Sequence, residues 1–255
     1  MRSLLTALVA LVALTSCASS GTPGGNAAAP LGPSTIQYEI VRQHARQFDV
    51  DVPDRPPGSQ HEVAAASYIL GHLQLAGFSP RLDRVPVADT INSTNVFAYP
   101  PNGSEPEFLV AVSYDTPASG RVQQGTEIGL FLELARALTV ADPDHEVGFV
   151  GLGAQTADAR GTRRLAQFLL DEGMDPSIIL IRPESGTGRS IFVRGACGGA
   201  SSGSVFSDSF TPGTCRDNVS VDTWLYGAGF QLTTVGGDVQ EAGRALFDFL
   251  TDDES

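Results

Sequence analysis

Histidine is scarce in this chain: four occur in 255 residues, and none follows His145. The carboxyl-terminal half therefore cannot supply imidazole to a metal centre. Positive charge is short as well, with 16 basic residues against 29 carboxylates and a formal net charge of −13. Nucleic acid as a partner and docking on acidic lipid by charge both need a basic face, so both are excluded. Cysteine is limited to Cys17, Cys197 and Cys215, too few for a disulfide scaffold. None has a histidine or second cysteine at metal-finger spacing, which argues against zinc held by thiolates. No internal repeat is present.

The amino end has the layout of an export signal. Met1-Arg-Ser carries one positive charge and leads into the apolar run Leu4–Leu14, too short to span a bilayer. The run ends Leu14-Thr15-Ser16-Cys17, which looks like a bacterial lipobox whose cysteine becomes the lipid-carrying first residue; an ordinary signal cleaved near Ala18 is the alternative. Residues 1–16 are thus expected to be a signal peptide, 17–33 a lipidated cysteine with a flexible tether, and 34–255 one domain. The tether, rich in Gly, Ala, Ser and Pro, has no apolar periodicity to bury. A lipid on Cys17 implies an extracytoplasmic protein anchored to the bacterial cell membrane, stably so only with two or more acyl chains. In that compartment Cys197 and Cys215 are expected to be oxidised, closing a Gly/Ser-rich segment and adding about 3 kcal/mol through the unfolded state. Two free buried thiols are the other reading.

Hydrophobic spacing predicts an alternation of helices and strands. Ile36, Ile40, Val41 and Ala45 recur at helical spacing within Pro33–Val50. Ser59 followed by Glu62 is a capping box, and Val63, Ala66, Ile69, Leu70 and Leu73 form the apolar face of a helix that Gly77 stops. Further helices are expected over Ile128–Leu138, Thr162–Glu172 and Val239–Leu250, the last capped by Asp238. Strands are expected at Arg81–Val87, Asn95–Tyr99, Phe108–Ser113, Val147–Leu152, Ile178–Ile181, Ser190–Arg194 and Phe230–Val235. The alternation predicts a three-layer α/β/α sandwich around a mostly parallel mixed sheet. Gly195–Gly203 reads as a surface insertion near the cleft. His44, His61 and His72 fall in helical stretches and His145 at a strand entrance, where exposed or capping roles are the default.

Three blocks carry a resemblance. Phe108-Leu-Val-Ala-Val-Ser-Tyr-Asp-Thr is a buried strand ending in Ser113-Tyr114-Asp115. Gln123-Gln-Gly-Thr-Glu then precedes the helical Ile128-Gly-Leu-Phe-Leu-Glu-Leu-Ala-Arg, and Val147-Gly-Phe-Val-Gly-Leu runs into Gly153-Ala-Gln-Thr-Ala-Asp-Ala-Arg-Gly-Thr162. Arg55-Pro-Pro-Gly-Ser59 stands before the first long capped helix. In order and spacing these blocks resemble the secreted co-catalytic di-zinc exopeptidases, the aminopeptidase Y and glutaminyl cyclase-like family, over roughly residues 34–251.

The resemblance implies a zinc-exopeptidase-like fold and shows where this chain departs from the family pattern. The first zinc histidine falls on Ser113, the metal-bridging aspartate on Gln123, the general-base glutamate on Gln155, the next zinc glutamate on Thr156, and a later zinc aspartate near Arg182. Asp115 and Asp222 are retained, and the last zinc histidine would lie around Val235 or Gly236. Co-catalytic hydrolysis needs oxygen and imidazole ligands on both ions and a carboxylate to take a proton from the bridging water. The chain is therefore expected to be a degenerate member with no intact catalytic set and no metal, although active relatives use zinc. Its expected role is binding or scaffolding at the cell envelope, with a peptide or protein partner in the former substrate cleft. Trp224 either lines that cleft or belongs to the core.

Two other readings stay open. Asp115, Glu127, Glu184 and Asp222 could converge on a displaced metal site, taking a hard cation through oxygen or supporting an altered metallo-exopeptidase. Alternatively the chain is a structural lipoprotein without a ligand. Ser113 is not set in a Gly-x-Ser-x-Gly elbow and lacks a histidine on its own element, which argues against a serine nucleophile. Asp115, which in the family orients the zinc-bound histidine, has lost that partner here and is expected to close its loop through hydrogen bonds instead.

Overall fold

Strands built wholly of apolar residues must be covered on both faces, and the centre of this fold shows how. A computed structural model describes residues 32–117, 124–181, 192–195, 211–212, 225 and 228–252. On β3 (Phe108–Ser113), Phe108, Val110 and Val112 enter one apolar core while Leu109 and Ala111 enter the other. On β4 (Val147–Leu152), Phe149 goes to the first core and Val150 and Leu152 to the second.

Around this pair lie β1 (Ser79–Pro86), β2 (Asn92–Tyr99), β5 (Ser177–Ile181), β6 (Phe192–Gly195), β7 (Thr211–Pro212) and β8 (Leu232–Gly236). The sheet order is β1-β2-β4-β3-β5-β8, extended by β6 and β7. The helices are α1 (Tyr38–Asp51), α2 (Gln60–Leu75), α3 (Gly125–Ala141), α4 (Arg160–Glu172) and α5 (Val239–Thr251). Residues of α1, α2, α3 and α5 build the core on one face of the sheet, and α4 with Leu225 and Phe230 builds the other. The three-layer sandwich expected from the alternation of elements is present. Among the described residues no helix is long and apolar enough to cross a membrane.

The parallel character runs through the middle of the sheet and returns at the far edge, where β6 meets β7. β4, β3, β5 and β8 run parallel, whereas β1 and β2 pair antiparallel, β2 meets β4 antiparallel, and β6 meets β8 antiparallel. The cause at the first edge is a short connection: Val87 N–H and Ala88 N–H both donate to Ile91 O, closing a hairpin that only antiparallel strands can share. β2 begins three residues before the expected Asn95, because the polar Asn92-Ser93-Thr94 pairs with Arg84, Val85 and Pro86 on an edge hairpin. The described part of β6, Phe192–Gly195, falls on the strand expected at Ser190–Arg194, whose first two residues lie outside the described ones, and β7 adds a two-residue strand at the edge.

Helix boundaries follow local chemistry. Ser59 Oγ accepts from Glu62 N–H at 3.1 Å and starts α2. Gly77, at a φ of 94° that glycine adopts without cost, lets Phe78 N–H bond Leu73 O and ends it. α1 lies tight against α3 because α3 offers Gly125 and Gly129 at the contact: a Cβ there would stand 2.4 Å from Ala45 O and 2.3 Å from Val41 O.

Candidate functional site

The carboxyl ends of β3 and β4, where parallel sheets place their chemistry, hold an internally satisfied network. β3 and β4 run in register with Ser113 opposite Leu152, and Tyr114 N–H continues the ladder to Leu152 O. The loops that follow, Tyr114–Thr116 and Gly153–Ala159, therefore leave the sheet side by side. Asp115 fastens one to the other. Its Oδ1 accepts from Gln155 N–H at 2.9 Å, and its Oδ2 from Thr156 N–H at 2.9 Å and Thr156 Oγ1–H at 2.6 Å. Asp115 is buried, which pushes its pKa up, while the bonds from Thr156 and Gln155 push the other way. Both its oxygens are occupied by the loop.

Gln155, expected from the resemblance to stand at the general-base position, is tied back into the fold. Thr162 Oγ1–H donates to Gln155 Oε1 at 2.8 Å, and Gln155 Nε2–H reaches Gly153 O at 3.5 Å. The loop is held beneath by Asn95, which accepts from Gly153 N–H at 3.1 Å and donates to Gly161 O at 2.8 Å. Glycine is required at both ends of this clamp, since a Cβ on Gly161 would stand 1.9 Å from Gly153 O and one on Gly153 2.4 Å from Thr94 O. Between them Ala154, Asp158 and Ala159 take the left-handed conformation at φ of 52°, 59° and 50°. Such non-glycine residues cost energy singly and persist only where the surroundings over-determine them.

Three buried groups that the sequence did not mark as site residues hold the floor. Arg55 is fully buried; its Nε–H donates to Tyr114 O at 2.6 Å, one terminal N–H to Val52 O and the other to Gln124 Oε1 at 3.1 Å. Its backbone N–H donates to Thr116 Oγ1 at 2.7 Å, and the guanidinium lies 4.6 Å from the Phe48 ring centroid. Burial lowers its pKa, and Asp49, Asp115 and Asp54 counter that. Glu62 fulfils only half of the expected capping box: its carboxylate reaches Gly58 N–H at 2.5 Å, Ser93 Oγ–H, and Ala154 N–H at 3.4 Å. It thereby ties the start of α2 to the loop after β4. Tyr114 Oη–H donates to Thr94 O beside it. The sequence carries signals for this network in Arg55 before Pro56-Pro57-Gly58 and in Glu62 of the capping box.

Glu127 sits in the first turn of α3, and its Oε2 is buried without a hydrogen-bond partner. Burial, with a smaller push from Asp49, raises its pKa to about 7. Asp49 itself accepts from Gly125 N–H at 3.1 Å and is also raised by burial. Ser113 ends β3 and is half-buried. Gln123, Arg182, Glu184, Cys197, Cys215, Asp222, Trp224 and Cys17 lie outside the described residues.

The donor chemistry at these strand ends does not fit a co-catalytic zinc pair. Ser113 offers a neutral hydroxyl, Gln155 a neutral amide whose oxygen is taken, Thr156 a hydroxyl already donated, and Asp115 a carboxylate spent on the loop. Among the described residues no three His, Cys, Asp or Glu side chains converge as a metal site, so Asp115 and Glu127 do not form one together with a third described ligand. His44 and His72, expected to be exposed or capping, are instead half-buried against each other between α1 and α2. A cavity of about 340 Å³ lies at the opposite pole of the sheet, among Phe78, Pro100, Leu138, His145 and Val147.

No protein-family model matches the sequence, and none of the curated proteins does. Solved structures do match. A leucine aminopeptidase precursor from Bacteroides thetaiotaomicron superposes with a TM-score of 0.71 at 13% identity, covering 86% of this chain and 98% of that one. The Bacteroides thetaiotaomicron glutaminyl cyclase gives 0.70 at 13% identity, over 86% and 99%. A Zn-dependent exopeptidase from Parabacteroides distasonis gives 0.68 at 11% identity, over 86% and 99%. At such low identity the likeness speaks for the fold: the chain is an α/β sandwich of the zinc-exopeptidase type.

Proposed function

We propose that this chain is a non-catalytic relative of the zinc exopeptidases, a pseudopeptidase that keeps the former substrate cleft as a binding groove. The observation that carries this reading is the state of the four described family positions, Ser113, Asp115, Gln155 and Thr156. Their side chains are neutral or consumed in closing the loops. Hydrolysis through two metal ions requires free carboxylates and imidazoles at those atoms and a base aimed at the bridging water. With those groups absent or engaged, binding energy in the groove has no water to activate, and the product of recognition is a complex. The groove's expected occupant is a peptide end or a protein partner. The chain is read as exported and held at the outer side of the cell membrane by lipid on Cys17, with the tether to residue 33 giving the domain reach.

A second reading rests on Glu127 in the first turn of α3, whose buried Oε2 is, among the described residues, a carboxylate oxygen without a hydrogen-bond partner. In that reading an altered metal site supports an active exopeptidase. One measurement separates the two: metal bound per chain by elemental mass spectrometry on the full chain, purified from metal-replete medium. The pseudopeptidase reading expects less than one zinc per ten chains and no chelator-sensitive cleavage of aminoacyl anilides. About two zinc ions per chain, the number co-catalytic chemistry needs, would overturn it. A chain that binds neither metal nor any peptide library member, with no ligand-induced rise in Tm, would instead fit a purely structural lipoprotein.

A further inference from the structure

Four aromatic rings interleave where α1 faces α2. Phe48 and His44 stand one turn apart on α1, and Tyr68 and His72 one turn apart on α2. His44 Nδ1 lies 2.7 Å from Tyr68 Oη. The His44 and His72 rings meet edge to face at 4.6 Å between centroids, Tyr68 and His72 at 4.4 Å, and Phe48 and Tyr68 at 5.6 Å. The backbones of α1 and α2 do not otherwise pack closely: α1 rests on α3, and α2 on β1, β2 and α3. These side chains bridge the gap between the two helices.

We propose that the His44–Tyr68–His72 cluster is an acid-sensitive clasp, which joins α1 to α2 at neutral pH and opens that seam when the imidazoles protonate. The contact depends on neutral rings. An imidazolium at His44 would face a second imidazole at 4.6 Å and would stand in a half-buried seam with no carboxylate set against it. On α1, Asp51 acts on Tyr68 and not on either histidine. On α2, His61 bonds Asp54 O, and Glu62 is turned to Gly58 and Ser93. On α3, Glu133 and Arg136 pair with each other near Gln37, and Glu127 faces Asp49. No described anion is placed to offset a protonated ring. Burial accordingly holds His44 down to about 4, with His72 adding to the effect, and holds His72 below its ordinary value. Tyr68 stays neutral throughout and serves as the fixed hydrogen-bond partner.

The seam is mechanically continuous with the cleft floor. Phe48, next to Tyr68 on one side, lies under the Arg55 guanidinium on the other, and Arg55 ties together Tyr114 O, Val52 O and Gln124 Oε1. Opening the clasp exposes Phe48 and loosens the arginine that organises the ends of β3 and α3.

The test is hydrogen–deuterium exchange on the full chain, wild type and the His44→Gln/His72→Gln double variant, at pH 7.5 and pH 4.5, with α5 as internal reference. Comparing two proteins at one pH cancels the intrinsic exchange rate. In wild type, peptides covering residues 44–52 and 64–75 are expected to exchange about tenfold faster relative to α5 at pH 4.5 than at pH 7.5. In the double variant that ratio stays near one. Equal relative acceleration in both proteins, or acceleration that includes α5, overturns the clasp. Should the double variant not fold, the wild-type histidine titrations seen by NMR decide the matter: His44 and His72 both titrating below an unperturbed imidazole supports the clasp, and either at or above it sinks the idea.

Discussion

Thr156 gives two hydrogen bonds to one oxygen of Asp115, from its N–H at 2.9 Å and its hydroxyl at 2.6 Å. One carboxylate thereby fastens the loop after β4 to the loop after β3.

This predicts that Asp115 is a stability residue. Asp115→Ala strands the N–H groups of Gln155 and Thr156 in a buried loop, and is expected to cost about 3 kcal/mol. Urea unfolding monitored by circular dichroism measures it. A loss below about 0.5 kcal/mol would mean the loop holds without the carboxylate.

Glu127 predicts a stability that falls as pH rises. Its folded pKa of about 7 lies above its ordinary 4.5, so the folded state keeps a proton that the unfolded state releases. The contribution is complete below pH 4.5 and lost as pH rises through about 7. Glu127→Gln should remove this slope and stabilise the chain at pH 8 by about 2 kcal/mol. The histidine pair works with the opposite sign: its depressed pKa values give stability present above the ordinary 6.5 and lost as pH falls through about 4 for His44. Thermal unfolding of the two variants across pH 4 to 8 resolves the two slopes, and an unchanged slope in Glu127→Gln would refute the first.

Gly129 predicts a packing limit between helices. A methyl group at that position meets Val41 O at 2.3 Å, a backbone atom that cannot rotate away. Gly129→Ala gains intrinsic helix propensity of about 1 kcal/mol yet should lose about 2 kcal/mol net by prying α1 from α3. A more stable variant by calorimetry would show that the α1–α3 contact can slide.

Gln155→Glu places a carboxylate at the expected general-base position and is predicted not to bring activity. Thr162 Oγ1–H would remain its partner as it is for Gln155 at 2.8 Å, and the neighbouring Ser113 and Thr156 still supply no metal ligand. Cleavage of aminoacyl p-nitroanilides with added zinc is expected to stay at the uncatalysed background; a rise of a hundredfold or more would show that one carboxylate suffices.

How much of this was legible in the chain varies by element. The continuous apolar runs Phe108–Val112 and Val147–Leu152 could only be strands covered on both faces, and they are. Ser59 and Asp238 announced helix starts through chemistry confined to three residues, and both cap as expected. β2 was legible only from Asn95 onward, since its first residues are polar and become strand through pairing with β1. Glu62 N–H completes the local half of a capping box with Ser59, and its carboxylate adds to nearby Gly58 the partners Ser93 and Ala154, 31 and 92 residues away. Nothing in a linear pattern shows that His44 and His72 face each other across two helices.

What the sequence determined by itself is the order of elements and the chemical poverty of the strand ends, because side-chain identity and short-range periodicity are written residue by residue. The tertiary structure alone decided where the surviving polar groups spend their bonds. Asp115, Gln155, Thr156 and Arg55 could each have faced an open cleft, and the burial that comes with closing the sheet ends turned them onto nearby backbone and side-chain partners, since a polar group left unpaired in that place costs free energy.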